Sequence, residues 1–207
     1  MTREISNGQT TGPLWTREQA LTLAALISCL SIYGITISLF TPLLSLILED
    51  RGVSTTVIGA LAMAAPVGVV VGSFVIPRVM RQLEGRNLLA AGVIVEIALI
   101  YALMMTESLA AWFVIRFLGG LTGAVLFVVT ETWMIEIAPE LHRGRVMGLY
   151  NTTLALSFAL GPLMLSITGV AGPTPFVAGM TLMALAGMPL LFAGRYRPSF
   201  VEESAFG

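Results

Sequence analysis

Apolar residues gather along this chain into six long stretches, at about 19–47, 54–76, 87–105, 109–135, 146–168 and 173–194. The links between them are short and hold most of the arginines. A run of roughly 20 apolar residues is the length of helix that crosses a hydrocarbon core about 30 Å thick. Each stretch is expected to be a transmembrane helix, because an open strand leaves its backbone N–H and C=O groups unsatisfied in lipid. The first stretch is longer than a simple crossing needs, so part of it is expected to tilt or project. The predicted architecture is an all-α membrane protein with six transmembrane helices within 19–197, a polar tail at 1–18 and a second tail at 198–207.

Composition changes this picture little but closes off other classes. Charged residues make up 11% of the 207, against about 25% in a soluble domain, so the surface is expected to face the lipid bilayer. The net charge is −1 and no basic patch is large enough to suggest nucleic acid as a partner. Residues 1–18 are polar, and the apolar run behind them is too long for a cleaved leader, so no signal peptide is expected. Cys29 stands alone in the first stretch and reads as a small buried apolar residue. His142 is the single histidine and falls in a polar link. With no paired metal ligands and no nucleophile beside a base, the sequence implies neither a cofactor, a metal nor an enzyme.

The arginines set the orientation, since cytoplasmic links retain positive charge. Arg3 and Arg17 precede the first stretch; Arg78, Arg81 and Arg86 follow the second; Arg143 and Arg145 follow the fourth; Arg195 and Arg197 follow the sixth. All fall on one side, while the other side has only Arg51 beside Glu49 and Asp50, plus Glu107. Both termini are therefore expected in the cytoplasm, and the protein in the inner (plasma) membrane.

Small residues recur at helical spacing. Ala60, Ala64, Gly68 and Gly72 form a four-residue ladder in the second stretch, and Gly119, Gly120, Gly123 and Ala124 repeat the device in the fourth. Ser31, Gly34, Ser38, Thr41 and Ser45 share one face of the first. Such stripes let helix backbones approach closely; for the hydroxyl-bearing first stretch, the wall of a water-filled cavity is the alternative.

Intramembrane charges point most directly to chemistry, since each costs at least ~2.5 kcal/mol at a helix centre. Arg116 lies roughly 10 Å below the outer surface and Glu96 roughly 13 Å above the inner one, so their heights differ by about 7 Å, within reach of long side chains. Arg116, Gly120, Gly123, Phe127 and Glu131 advance by three and four residues along one face, with a charge at each end and small residues between. That face reads as a cavity wall. For Arg116 two readings stand: an ion pair with Glu96 that fixes two helices, or a cation that meets an anionic substrate group or tunes a proton-carrying carboxylate. Glu131 either lines the pathway or reaches to the cytoplasmic interface. Glu136 is expected to pair with Arg143 across the bend at Pro139.

These residues resemble the N-terminal half of the major facilitator superfamily across 19–197. In the first two stretches the likeness rests on Pro42, the Gly52-Val53-Ser54 link, Gly59 and Gly68. The segment from Gly72 through Pro77, Arg78, Arg81 and Gly85 to Arg86 is similar to that family's cytoplasmic signature loop, with Ile76 and Pro77 where its early acidic residue belongs. Arg116-Phe117-Leu118-Gly119-Gly120, then Gly123 and Ala124, is similar to the fourth-helix motif whose arginine is linked to proton coupling. Glu131, Trp133, Glu136, Pro139, Glu140, Arg143, Gly144 and Arg145 resemble the link that follows in a bacterial efflux subgroup. Gly161-Pro162 resembles the core of the antiporter motif, with Leu165 and Ser166 where a glycine pair belongs.

The resemblance implies one half of the facilitator fold, a 3+3 helix repeat, in a secondary carrier that moves a small molecule by alternating access with possible proton coupling. On this reading Arg116, Glu131, Glu96, Tyr33 and Phe127 form the substrate and coupling pathway. Gly68, Gly72, Gly120, Gly123, Gly161 and Pro162 serve helix packing or an interface, and Arg78, Arg81, Glu136 and Arg143 form the cytoplasmic charge cluster. Six spans are half of the usual twelve, so a chain ending at Gly207 is expected to act as a homodimer or with another six-helix half. A non-transporting accessory or scaffold bundle, or an inactive fragment, is the alternative.

Overall fold

A reciprocal cap starts the first helix: the Gln19 backbone N–H donates to Thr16 Oγ1 (3.1 Å) and the Thr16 N–H to Gln19 Oε1 (3.0 Å). From there a computed structural model describes residues 16–191 as six α-helices: Arg17–Asp50 (α1), Thr55–Met80 (α2), Gly85–Met105 (α3), Leu109–Ile137 (α4), Arg143–Thr168 (α5) and Thr174–Gly187 (α6). A 3₁₀ turn at Glu140–His142 leads into α5, and another at Met188–Leu191 continues α6. The expectations that fall on residues 1–15 and 192–207, including Arg3, Arg195, Arg197 and the end of the sixth stretch, lie outside the described residues.

Among the described residues, five helices are long and apolar enough to cross a membrane; the apolar run of the sixth, Thr174–Leu190, is shorter. With 34 residues, α1 is about 51 Å long at 1.5 Å per residue. It exceeds the hydrocarbon thickness and carries Pro42 in its interior. The turn from α1 to α2 is made by Gly52 at φ +70°, a backbone conformation that any residue with a Cβ adopts at a steric cost.

The helices lie along an arc in the order α2, α4, α3, α6, α1, α5. Each packs on its neighbours in that order, while α1 and α4 meet more lightly across the middle. Its two ends, α2 and α5, do not pack on one another. The core between the arms holds Leu26, Leu30, Tyr33, Leu39, Leu43, Leu89, Leu126 and Met134.

Apolar burial between helices gains little in lipid, where the surroundings are as apolar as the core, so close packing must hold the bundle. The glycines supply it. A methyl on Gly120 would strike the Ala65 carbonyl and Gly68 Cα, and one on Gly68 would strike the Phe117 carbonyl, so α2 and α4 touch backbone to backbone. Gly72 faces Ala124 in the same seam. The contact of α1 with α5 is built alike: Gly34 lies under Leu154 and Ser157, and Gly161 fits against Ser38 and Leu39. Ser38 Oγ donates to its own helix at Ile35 O (3.1 Å) and sits 3.5 Å from Ser157 O.

Of the two roles open to Gly68, Gly72 and Gly161, the structure places them in helix packing within the bundle, where α4 covers the first two and α1 covers the third. The outer faces of α2 and α5 present Met63, Val67, Phe74, Leu156, Leu163 and the exposed Pro162 instead.

The seam makes a sharp contrast between two glycines testable by thermal unfolding in detergent. Gly59 has open space where a Cβ would go, so Gly59→Ala should hold or raise the midpoint, since alanine is favoured in a helix by up to ~1 kcal/mol. Gly120→Ala should lower it markedly, overpacking of a tight core costing about 1–3 kcal/mol. Equal midpoints for the two variants would refute the backbone contact.

Candidate functional site

The end of the bundle away from the arginine-rich links is pinned by α4's first turn. Ser108 caps it by accepting from the Ala111 N–H (3.4 Å), and buried Trp112 donates its indole N–H to Thr106 O (2.8 Å). Arg51, from the α1–α2 turn, lies with its guanidinium 5.0 Å from the Trp112 ring centroid and donates to Glu107 O (3.2 Å). A cation over an indole face is attracted by the ring quadrupole, so this arginine ties the α1 end to the start of α4. The sequence offered Arg51 only as a marker of orientation; nothing in its spacing announced Trp112 as its partner.

One turn further in stands Arg116. It borders a small cavity of ≈ 10 Å³ with Thr41, Leu44, Ser45, Ile58, Leu61 and Ala62, between α1 and α2. Thr41 Oγ1 and Ser45 Oγ donate within their own helix, to Ile37 O and Thr41 O (3.0 Å each). Their lone pairs are what they can offer a cation. The space is at the lower limit for one water molecule.

Glu96 approaches α4 from the other flank, on α3. Its carboxylate oxygens lie 3.6 and 3.7 Å from the place a Cβ on Gly119 would occupy. Oε2 is buried without a hydrogen-bond partner, and among the described residues no ion pair within 4.0 Å joins Glu96 to Arg116. The two are neighbours whose charges act on one another, with Tyr33 as the third member. Tyr33, 1% exposed, reaches from α1 so that its hydroxyl rests on Gly123; its ring meets Phe127 edge-on at 5.7 Å. Small positions on α4 thus shape the site: the carboxylate lies within contact distance of Gly119, and Gly123 leaves room for the phenol, which a Cβ there would displace.

Arg116, Glu96, Tyr33 and Phe127 come together around this stretch of α4. Glu131 does not join them directly. It accepts a hydrogen bond from the buried Tyr150 hydroxyl at 2.7 Å, linking α4 to α5. Nearby, Arg143 donates Nε to Ile135 O (3.1 Å) rather than to Glu136, which is exposed. Arg78 donates to Phe74 O of its own helix (2.6 Å), and Arg81 is exposed beside it. Sequence reasoning missed Tyr150. Its signal is a phenol among apolar residues of α5, legible only once the rotation of α5 about its axis is known.

The sequence profile of the Major Facilitator Superfamily matches residues 26–205. An uncharacterized MFS-type transporter, YfkF, of Bacillus subtilis (strain 168) is 26% identical over 167 residues, covering 81% of this chain and 43% of its own length. An uncharacterized MFS-type transporter of Yersinia pestis (strain Pestoides F) is 26% identical over 170 residues, with 81% and 44% covered. A third, Ent638_1421 of Enterobacter sp. (strain 638), is 33% identical over 84 residues, 40% of this chain and 22% of that protein. The chain thus spans less than half the length of the relatives it matches over most of its own.

A double-mutant cycle on Tyr150→Phe and Glu131→Gln isolates the link between α4 and α5. A coupling energy of about 1 kcal/mol is expected, between the average for side-chain hydrogen bonds within membranes and that for bonds to charged groups. Additive losses of stability would show that the 2.7 Å contact contributes nothing.

Proposed function

The chain belongs to the Major Facilitator Superfamily, and on that premise we propose that it forms one six-helix half of a secondary active transporter, proton-coupled and exporting a small solute or drug by alternating access. The packing supports the 3+3 repeat: exchanging α1, α2 and α3 for α4, α5 and α6 carries the α3–α6 contact onto itself and the other major contacts onto one another. Contact α1–α5 answers α4–α2, and α1–α6 answers α4–α3. The small-residue seams correspond too, Gly34 and Gly161 answering Gly120 and Gly72. The apolar run Thr174–Leu190, about 25 Å of helix, serves as the sixth crossing. Both termini lie in the cytoplasm of an inner-membrane protein, for Arg17, Arg78, Arg81, Arg86, Arg143 and Arg145 gather at one end and Arg51 alone is at the other.

The observation that carries the coupling is the Glu96 carboxylate, buried against Gly119 with Oε2 unpartnered and Arg116 at hand. An ionised carboxylate in such a place needs a cation, because leaving it unpaired costs several kcal/mol; a protonated one needs none. Glu96 carries the proton, and its charge decides whether Arg116 stays beside the Thr41–Ser45 cavity or crosses to pair with it. Phe127, Tyr33 and Glu131 complete the pathway, which suits an anionic or amphipathic solute. The other half of the enclosure is a second copy inserted the same way, or another six-helix half, since halves of this fold are parallel repeats about an axis along the membrane normal.

A non-transporting scaffold is the second reading, favoured by the small size of the Arg116 cavity, which admits no solute in this conformation. Vesicles with entrapped pyranine, given fluorescein as an anionic amphipathic probe, separate the two. The proton movement of the wild type should fall at least tenfold in Arg116→Ala and Glu96→Gln, with membrane levels unchanged. An undiminished rate in Arg116→Ala removes its role, and a strictly monomeric native mass with no proton movement leaves the scaffold.

A further inference from the structure

An open apolar groove runs along the flank of the bundle between α2 and α3, which do not pack closely on each other. It encloses ≈ 460 Å³ and is walled by Val71 and Val75 of α2 and Leu88, Gly92 and Val95 of α3, with Leu121 of α4 as its floor. Glycines seat both walls closely on the α4 floor: a Cβ on Gly92 would come within 3.1 Å of Leu126, and one on Gly72 would press on Ala124. Since α3 begins at Gly85, the walls from Leu88 to Val95 lie roughly 4.5 to 15 Å from the helix end. That is the depth of one leaflet, half of the ~30 Å core.

The mouth of the groove is basic. Arg78 follows Val71 and Val75 on the same stripe of α2, one turn nearer the link, and is exposed. A single bond to Phe74 O uses one of its five N–H donors. Arg81 stands next to it at the C-cap of α2, and Glu84 occupies the N-cap position of α3 opposite. These three sum to one positive charge at the level where lipid phosphates lie, above a slot shaped for hydrocarbon.

We propose that this groove is a binding site for one anionic phospholipid of the cytoplasmic leaflet, an acyl chain lying between α2 and α3 and the phosphate on Arg78. The proposal rests on the reading of the arginine-rich end as cytoplasmic, and not on transport. Two acidic headgroup oxygens suit the planar guanidinium fork. A zwitterionic head such as phosphocholine brings its own cation toward Arg78 and Arg81 and gains less.

Native mass spectrometry of the full chain in mild detergent tests it, with phosphatidylglycerol, phosphatidylcholine of the same chains and free glycerol phosphate as probes. Phosphatidylglycerol should be retained in preference to the other two. Arg78→Gln should weaken that preference about fivefold, the effect of one arginine near an anionic surface. Arg86, two residues before Leu88 and so on the opposite side of α3, provides the control, and Arg86→Gln should leave the preference intact. Ala91→Trp, on the groove-facing side, should displace both lipids, whereas Ile94→Trp on exposed α3 surface should not. Equal retention of the two lipids overturns the proposal, as does an equal loss in Arg78→Gln and Arg86→Gln, or retention of phosphatidylglycerol by a folded Ala91→Trp protein. If the tryptophan at 91 prevents folding, the contrast between the two arginines decides alone. Loss of the lipid preference in a protein that still inserts and moves protons would leave the transport reading untouched.

Discussion

The structure depends on α4 being nearly bare between residues 119 and 124. Gly120 brings the backbone of α2 into contact on one side, Gly119 receives the Glu96 carboxylate on another, and Gly123 receives the Tyr33 hydroxyl on a third. Three neighbours, α2, α3 and α1, therefore reach α4 at the same depth. In water such an arrangement would be driven by apolar burial. In lipid it must rest on dispersion between atoms packed as closely as backbones allow, and a single Cβ on the wrong glycine would separate two helices. The same bareness is what lets charged and phenolic groups enter the centre of an apolar bundle.

Stability and chemistry thus share one surface, with opposite demands. Contact between α2 and α4 tolerates no movement, because its partners are carbonyls and Cα atoms rather than side chains that can change rotamer. Glu96 and Arg116 are long and flexible, and neither is held by a direct ion pair among the described residues. A rigid helix with two mobile charges beside it is an arrangement in which a proton can redirect a side chain without disturbing the fold. The small cavity that Arg116 borders lies toward α1 and α2, whereas Glu96 approaches from α3.

Much of this was legible in the sequence, and the remainder was hidden for identifiable reasons. Period and hydropathy located all-helical structure because lipid burial leaves so strong a compositional trace. They did not mark helix ends: α2 runs on through Pro77 to Met80, and α5 begins at Arg143, since ends follow caps and links rather than apolarity. The neighbourhood of Arg116 and Glu96 followed from counting residues at 1.5 Å each. What counting could not give is rotation about the helix axis. The ladder of Gly68 and Gly72 was readable as a close-packing surface, but whether it faced α4 or an outside partner was not. Glu131 likewise lay on the face of Arg116 by spacing, yet meets Tyr150, a residue whose orientation only the packing of α5 fixes.

The two ends of the arc differ from its middle in a way that bears on motion. In its most apolar window α1 is 61% buried, whereas α2 is 22% and α5 17%. An edge helix in water would pay for such exposure with aggregation or unfolding; in lipid its outer side chains keep apolar neighbours wherever it moves. What restrains α5 is specific: the seam of Gly34, Ser157 and Gly161 with α1, and the bonds from Tyr150 and Arg143 to α4. The seam packs close to the α1 backbone and sets Ser38 Oγ 3.5 Å from Ser157 O, while the bonds from Tyr150 and Arg143 are directional. Both bonds sit toward the arginine-rich end of α4, so α5 is tethered at one end and held only by packing at the other. The Glu131–Tyr150 contact is therefore the side-chain bond that ties α5 to the helix that carries Arg116.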